Sequence, residues 1–371
     1  AFFAWLATIV RRFGIVLMKE NLKHLWMTGT VSAFLAMFLL FSMIYSATKG
    51  TVTIPLHDAY AAVVFGLTGS TTYASLISPP VFDIIWMLRL PRIVLAMVTG
   101  MGLSVCGVIM QAIVKNPLAD PYILGVSSGA SLGATAAILL GIGTALGENF
   151  VGLVASGGAF AVSLGVLILS NCGGRPNSIK LLLSGMALSA VCGAFSSFIV
   201  YFANNIEGMQ TIAYWLMGSF ANAKWENLIV ICFVVLAGTL FFWSQHRVLN
   251  LMLLGDETAI TLGTDLNYFR QCYLVVSALI VGFVVYSAGM IGFVGLIIPH
   301  IVRTAAGTDH KALIPLSALS GAVFLVWSDL LCRSVIPRAE LPIGVFISLI
   351  GAPCFIYLMV RRGYGFGGKD S

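Results

Sequence analysis

The sequence predicts an all-α, polytopic membrane protein, and three observations carry that prediction. Of its 371 residues, 59% are hydrophobic and only 9% are charged, whereas about a quarter of an ordinary soluble domain is charged. Mean hydropathy is +0.99. Apolar runs of about 20 residues, the length that crosses a hydrocarbon core as a helix, recur along the whole chain. The net charge of +6 and pI near 9.0 do not point to nucleic acid, because the basic residues stand singly between apolar runs and form no stripe.

Ten spans are expected, at about 26–47, 90–113, 123–141, 150–170, 180–202, 226–245, 268–289, 291–306, 313–331 and 341–360. Residues 1–25 form an N-terminal cytoplasmic or interfacial extension. Arg11, Arg12, Lys19 and Lys23 beside Ala1–Met18 suggest an amphipathic helix on the membrane surface, and no cleavable signal pattern is present. The second span opens on Arg89-Leu90-Pro91-Arg92. Proline fixes the backbone where a helix starts, so both guanidinium groups are expected to leave the first turn. Two arginines that snorkel to anchor a helix end are one reading of the pair, and a site for an acidic partner is the other.

Asn116-Pro117-Leu118-Ala119-Asp120-Pro121 joins spans two and three, and its prolines make a stiff connection that is either a plain turn or a gate at a pore mouth. In span three, Gly125, Gly129 and Gly133 recur every four residues among Ser127, Ser128, Ala130 and Ser131, a face on which membrane helices approach closely. Between spans six and seven, residues 254–265 read as a short amphipathic segment with Asp256 and Glu257 at its start and glycines at both ends. It is a solvated loop helix or a helix that docks into a groove on a partner.

Spans seven and eight nearly fuse, and the eighth carries Gly292, Gly295 and Pro299, followed by His300, read as structural, and Arg303. Residues 363–371 form a flexible cytoplasmic tail. Its Gly363 to Asp370 stretch approaches a phosphate-binding loop, but Asp370 stands where a Ser/Thr would hold magnesium.

Orientation follows from charge. With the N-terminus inside, Arg11, Arg12, Lys19, Lys23, Lys115, Arg175, Lys180, Arg247, Arg270, Arg303, Lys311, Arg361, Arg362 and Lys369 lie inside. Lys49, Arg89, Arg92, Lys224, Arg333 and Arg338 lie outside. Fourteen of twenty inside is a positive-inside bias, so both termini are expected in the cytoplasm. Arg89, Arg92 and Arg333 then become three exposed exceptions on the outer face. Asp329 alone among the acids lies inside a span. Ion-driven transporters place ionisable groups at membrane depth, so the energy source is expected elsewhere.

The seven cysteines show no CxxC pair and read as small apolar residues. The five histidines have no metal-ligand spacing, and neither HExxH nor GxSxG occurs. No metal site and no catalytic residue are expected.

Six blocks, in order, give the chain a family resemblance over about residues 85–362. They are Arg89 to Arg92; Gln111 through Asn116–Pro121 to Gly125; Leu254-Gly255-Asp256-Glu257 with Leu262-Gly263; Gly292 to Leu296 with Pro299, His300 and Arg303; Asp309-His310; and Glu340 to Gly344 with Gly351-Ala352-Pro353. The chain resembles the permease subunit of a type II ABC importer, in the iron-siderophore, haem and cobalamin uptake permease family.

The resemblance implies a ten-helix permease domain over 26–362 and a homodimer in the bacterial or archaeal cytoplasmic (inner) membrane. It implies two ATP-binding cassette ATPase subunits, which alone use ATP and magnesium, and a periplasmic or lipid-anchored substrate-binding protein. The chain itself would be no enzyme and hold no cofactor. By resemblance, Arg89, Arg92 and Arg333 would meet carboxylates of the binding protein, and residues 254–264, with Leu254, Gly255, Asp256, Glu257, Leu262 and Gly263, would be the coupling helix in the ATPase. Asn116, Leu118, Asn177 and Ser178 would constrict the cytoplasmic mouth. An ion-gradient-driven secondary transporter is the alternative, disfavoured by the scarcity of intramembrane acids.

Overall fold

A computed structural model describes residues 28–50, 52–74, 76–172, 178–336 and 339–361. The expectations for residues 1–25, for Asn177 and for the tail 363–371 lie outside the described residues.

Helices stand at all ten expected positions. Seven are long and apolar enough to cross a membrane: α1 (Thr28–Thr48), α3 (Pro79–Val114), α5 (Phe150–Asn171), α6 (Ser178–Ala203), α8 (Trp225–Ser244), α11 (Leu266–Ala288) and α13 (His310–Ser334). The third, eighth and tenth positions hold shorter apolar helices, α4 (Val126–Leu140), α12 (Val294–Ala306) and α14 (Ile343–Arg361). Helices α2 (Leu56–Thr68), α7 (Ile206–Leu216), α9 (His246–Leu254) and α10 (Asp256–Thr261) fill connections. Much of the surface of α6 and α1 is exposed and apolar, Phe195, Phe198 and Leu40 included.

Helix α3 is the hub. Twenty residues of its Leu90–Val114 stretch are buried, and it packs most extensively on α13, then on α11 and α12. Those crossings are close because glycine faces backbone. A Cβ on Gly100 would lie 2.1 Å from the Gly321 carbonyl oxygen, and one on Gly107 would lie 1.9 Å from that of Gly295. The expected glycine face of α4 behaves in the same way against α5, where a Cβ on Gly129 would meet the Gly158 carbonyl at 2.4 Å and one on Gly133 that of Val154 at 2.5 Å.

Two expectations need correction. Helix α3 does not begin at Arg89. It begins at Pro79, and Arg89 closes a π-helical stretch, Asp83–Arg89, in which the Leu90 N–H reaches back five residues to the Ile85 carbonyl. Pro91 has no N–H to give to the Trp86 carbonyl five residues before it, and that carbonyl accepts from Trp225 Nε1 instead (2.8 Å), so the helix runs on through the proline. The extra turns pack on α2 around Ile54, Ala59, Ala62 and Ile85. Spans seven and eight are separated by a non-helical break at Gly289–Phe293, where Phe293 takes a left-handed backbone (φ 66°).

The seven cysteines are free; Cys106, Cys192 and Cys332 are buried as small apolar residues, but Cys172 is exposed at the end of α5.

Gly107→Ala is expected to force α3 from α12 and destabilise the protein by ~1–3 kcal/mol, the usual cost of overpacking. Gly193→Ala, whose Cβ would meet nothing within 4 Å, should leave melting unchanged. Thermal unfolding of the detergent-solubilised chain, followed by tryptophan fluorescence, checks both.

Candidate functional site

The three arginines singled out by sequence do converge, at the end of the bundle where α3 and α13 meet the α1–α2 connection. They are not exposed there. Arg89 and Arg333 retain 6% and 5% of their accessible surface, and Asp329 retains 1%. Asp329 bridges two of them: it accepts from Arg92 Nε on one oxygen (2.7 Å) and from Arg333 Nε on the other (3.0 Å). Arg92 Nη1 also donates to Glu340 (2.8 Å), an acid whose side chain is 45% exposed. Arg333 Nη2 donates to Ser46 Oγ (2.8 Å) and its Nη1 to the Lys49 carbonyl (3.4 Å). Arg89 donates to the carbonyls of Ala47 (2.6 Å) and Val52.

The charge balance explains this geometry. Three guanidinium groups face two carboxylates, and the remaining positive charge lies against the C-terminal end of α1, where unpaired carbonyls carry partial negative charge. Expected to reach outward, the arginines point inward because a buried carboxylate and helix-end carbonyls pair a guanidinium in its fork geometry. Only the Arg92–Glu340 edge meets solvent. The i, i+4 spacing of Asp329 and Arg333 was a visible signal for one of these pairs. Arg92, 237 residues from Asp329, offered none.

At the opposite end of the bundle the connection after α3 is a built turn. Lys115 takes a left-handed backbone (φ 55°), Asn116 Oδ1 accepts from the Leu118 N–H (2.9 Å), and Asp120 Oδ1 accepts from the Tyr122 N–H (2.8 Å). Asn116 and Leu118 thus share one half-buried turn, and Ser178 begins α6. Asp120 is buried, and burial pushes its carboxyl up to about 6, against which the Tyr122 N–H works only in part.

The segment expected to contact a partner is two short helices, α9 and α10, hinged at Gly255. Asp256 accepts from Lys115 Nζ (2.9 Å) and from the buried Arg270 (3.0 Å). Burial opposes ionisation of Asp256, but these two cations hold its carboxyl below the usual carboxylate range. Asn250 on α9 ties the same segment to α13: its Nδ2 donates to Asp309 (2.8 Å) and its Oδ1 accepts from the His310 N–H (2.9 Å). Sequence reasoning missed Asn250, Lys115 and Arg270 as anchors, since each bond joins distant parts of the chain. Leu254, Ile260 and Leu262 stay exposed on the free side, beside exposed Glu257. An anchored backbone with an apolar outer edge has the form of a docking surface.

Comparison with known proteins adds the relationship. A model of the FecCD transport family matches residues 37–361. The chain is 38% identical over 330 residues to the uncharacterized ABC transporter permease protein YvrB of Bacillus subtilis (strain 168), spanning 88% of this chain and 92% of that one. It is 39% identical to the hemin transport system permease protein HmuU of Yersinia pestis, over 75% of this chain and 84% of the relative. It is 38% identical to the vitamin B12 import system permease protein BtuC of Escherichia coli O157:H7, with the same coverage. A solved structure described as an inward-facing conformation of a metal-chelate type ABC transporter superposes with a TM-score of 0.77 at 30% identity, over 90% of this chain and all of the other.

Asp329→Asn should leave the buried Arg333 without its carboxylate and Arg92 with Glu340 alone, and cost ~3–5 kcal/mol, the range for breaking a buried pair. Glu340→Gln, at a half-exposed position, should cost at most ~1 kcal/mol. Chemical denaturation of the two variants measures the difference.

The pH dependence of Asp120 has a definite sign. Its carboxyl titrates higher in the fold, so its contribution to stability is full below about 4 and is lost as pH rises through about 6. Asp120→Asn, which keeps the acceptor for the Tyr122 N–H, should flatten the fall in melting temperature between pH 5 and pH 7.5.

Proposed function

The chain belongs to the FecCD transport family, as a multi-pass membrane permease of an ABC transporter with the type II permease fold; from that premise we propose that it imports a metal chelate. The chelate, a ferric siderophore, haem or cobalamin, is delivered by an extracytoplasmic binding protein. ATP hydrolysis in two separate ATPase subunits drives the passage, with magnesium there and not on this chain. Two copies of the chain form the path, in the cytoplasmic (inner) membrane with both termini inside.

The observation that carries the reading is the α9–α10 segment. Its outer edge presents Leu254, Ile260 and Leu262, while its inner edge is tied to α3 through Lys115, to α11 through Arg270 and to α13 through Asn250. A partner that seats on α9–α10 and moves pulls on three helices of the core at once, which is what coupling an external ATPase to a path requires. The gate turn at Asn116 and Leu118 follows directly from Lys115, so a movement of α10 reaches it through a single ion pair.

At the arginine end, the docking reading narrows to Arg92. Its edge beside Glu340 is open to a carboxylate from a binding protein, while Arg89 and Arg333 hold the surface in shape beneath it. The ion-gradient alternative loses ground on Asp329: held between two guanidinium groups, it is a poor carrier of a proton or cation.

Reconstitution in liposomes with the cognate ATPase and binding protein tests the proposal. Uptake of chelate should require ATP hydrolysis and should be lost with a hydrolysis-dead ATPase. Uptake driven by an ion gradient alone would overturn it.

A further inference from the structure

A groove on the surface of the bundle lies between α5 and α8, with α11 as its floor. It measures about 330 Å³, and its walls at membrane depth are apolar: Leu153 and Phe160 on α5, Val230 on α8, Leu279 and Phe283 on α11. Gly157 leaves the wall open, since a Cβ there would find nothing within 4 Å.

Toward the arginine end the groove meets a second cavity, of about 400 Å³, with Asn227 and Tyr286 lining both. The chemistry changes across that boundary. Asn149, Asn222, Ser219 and Thr211 now line the walls, and the rim carries Lys224 and Glu148, 3.1 Å apart and exposed. The Ser287 hydroxyl, buried in this lining, has no hydrogen-bond partner among the described residues. The Tyr286 hydroxyl holds only long bonds, accepting from Asn149 at 3.4 Å and donating to Asn227 at 3.3 Å.

The polarity gradient runs along the membrane normal. Tyr286 stands two residues from the end of α11, and Leu279 lies seven residues deeper, about 10 Å at 1.5 Å per residue. Tyr214, Trp215 and Tyr286 mark the upper cavity as lying at interface level, where such rings collect.

We propose that the two cavities together form a phospholipid site, with an acyl chain in the α5–α8–α11 groove and a zwitterionic headgroup in the cavity above it. The rim decides the headgroup. A lipid of single negative charge would set its phosphate against Glu148 as well as Lys224. An ethanolamine headgroup places phosphate toward Lys224 and the amides and its ammonium toward Glu148. The Ser287 hydroxyl then gains an acceptor in the glycerol-ester region. The lipid belongs to the leaflet at the arginine end, and its chain packs against α11, one of the helices held by Asp256 through Arg270.

Native mass spectrometry of the purified, delipidated full chain, titrated with phosphatidylethanolamine and separately with phosphatidylglycerol, tests the site. One phosphatidylethanolamine per chain is expected, bound at least tenfold more tightly than phosphatidylglycerol. Gly157→Leu, whose Cβ would meet nothing within 4 Å and whose side chain enters the groove, should weaken binding at least tenfold with melting unchanged. If that variant melts lower, Leu279→Trp on the groove floor gives the same reading. Glu148→Gln should abolish the preference for ethanolamine. Equal binding of the two lipids to the wild-type chain would overturn the headgroup assignment. Unchanged affinity in the filled-groove variants, or occupation of the cavity by a second copy of the chain or a non-lipid molecule, would overturn the site.

Discussion

A helix that meets almost no lipid must find every partner inside the protein, and α3 imposes that constraint on all its neighbours. Its apolar side chains would be satisfied by hydrocarbon or protein alike, so burial by itself does not position it. Position comes from backbone touching backbone at Gly100 and Gly107 and from the charges at its outer turns. The glycine crossings fix how near α13 and α12 stand and leave little freedom to slide, because either displacement puts carbonyl oxygens against Cα atoms. The remaining helices arrange themselves on this group, and the more exposed α1 and α6 close the periphery.

The paired helices α3 and α13 are also held at both ends. Arg92 and Asp329 join them at one end. At the other, Lys115 ties α3 to α10, and Asn250 ties the start of α13 to α9. A buried ion pair adds little net stability relative to a well-packed apolar pair, but once formed it is costly to break. The buried Arg92–Asp329 pair is the firm end of this two-helix strut, and the exposed Lys115–Asp256 and Asn250–Asp309 ties at the other end, on either side of Gly255, are the ones that can open at little cost.

Much of this was legible in the chain because membrane helices announce themselves by length. Ten apolar runs gave ten helix positions, and the four-residue spacing of Gly125, Gly129 and Gly133 foretold a close helix approach, which Gly129 and Gly133 make against α5. The expectation for Arg89 and Arg92 failed at a different level. A proline after an arginine signals a helix start in local terms, and only the packing of α2 on residues 79–89, with a π-helical turn before Pro91, extends the helix backwards past it. Inward or outward direction of a guanidinium depends on partners such as the Ala47 carbonyl and Asp329, and no local pattern encodes a partner from another helix. Asn250, which joins α9 to α13, is an ordinary polar residue in the sequence and becomes significant only when His310 and Asp309 stand beside it.

The sequence distance within the arginine cluster sets an order of events during synthesis. Arg89 is satisfied by carbonyls of Ala47 and Val52, which leave the ribosome before it does. Arg92 must wait for Asp329, 237 residues later, a delay on the order of 10–50 s at ordinary rates of translation. Through that interval Arg92 has neither Asp329 nor Glu340 to pair with, and its place in the outer turns of the span leaves its guanidinium to snorkel toward the interface. Arrival of the ninth span then supplies Asp329 together with the Gly100–Gly321 crossing, so the charge of Arg92 and the seat of α3 on α13 are settled in one step.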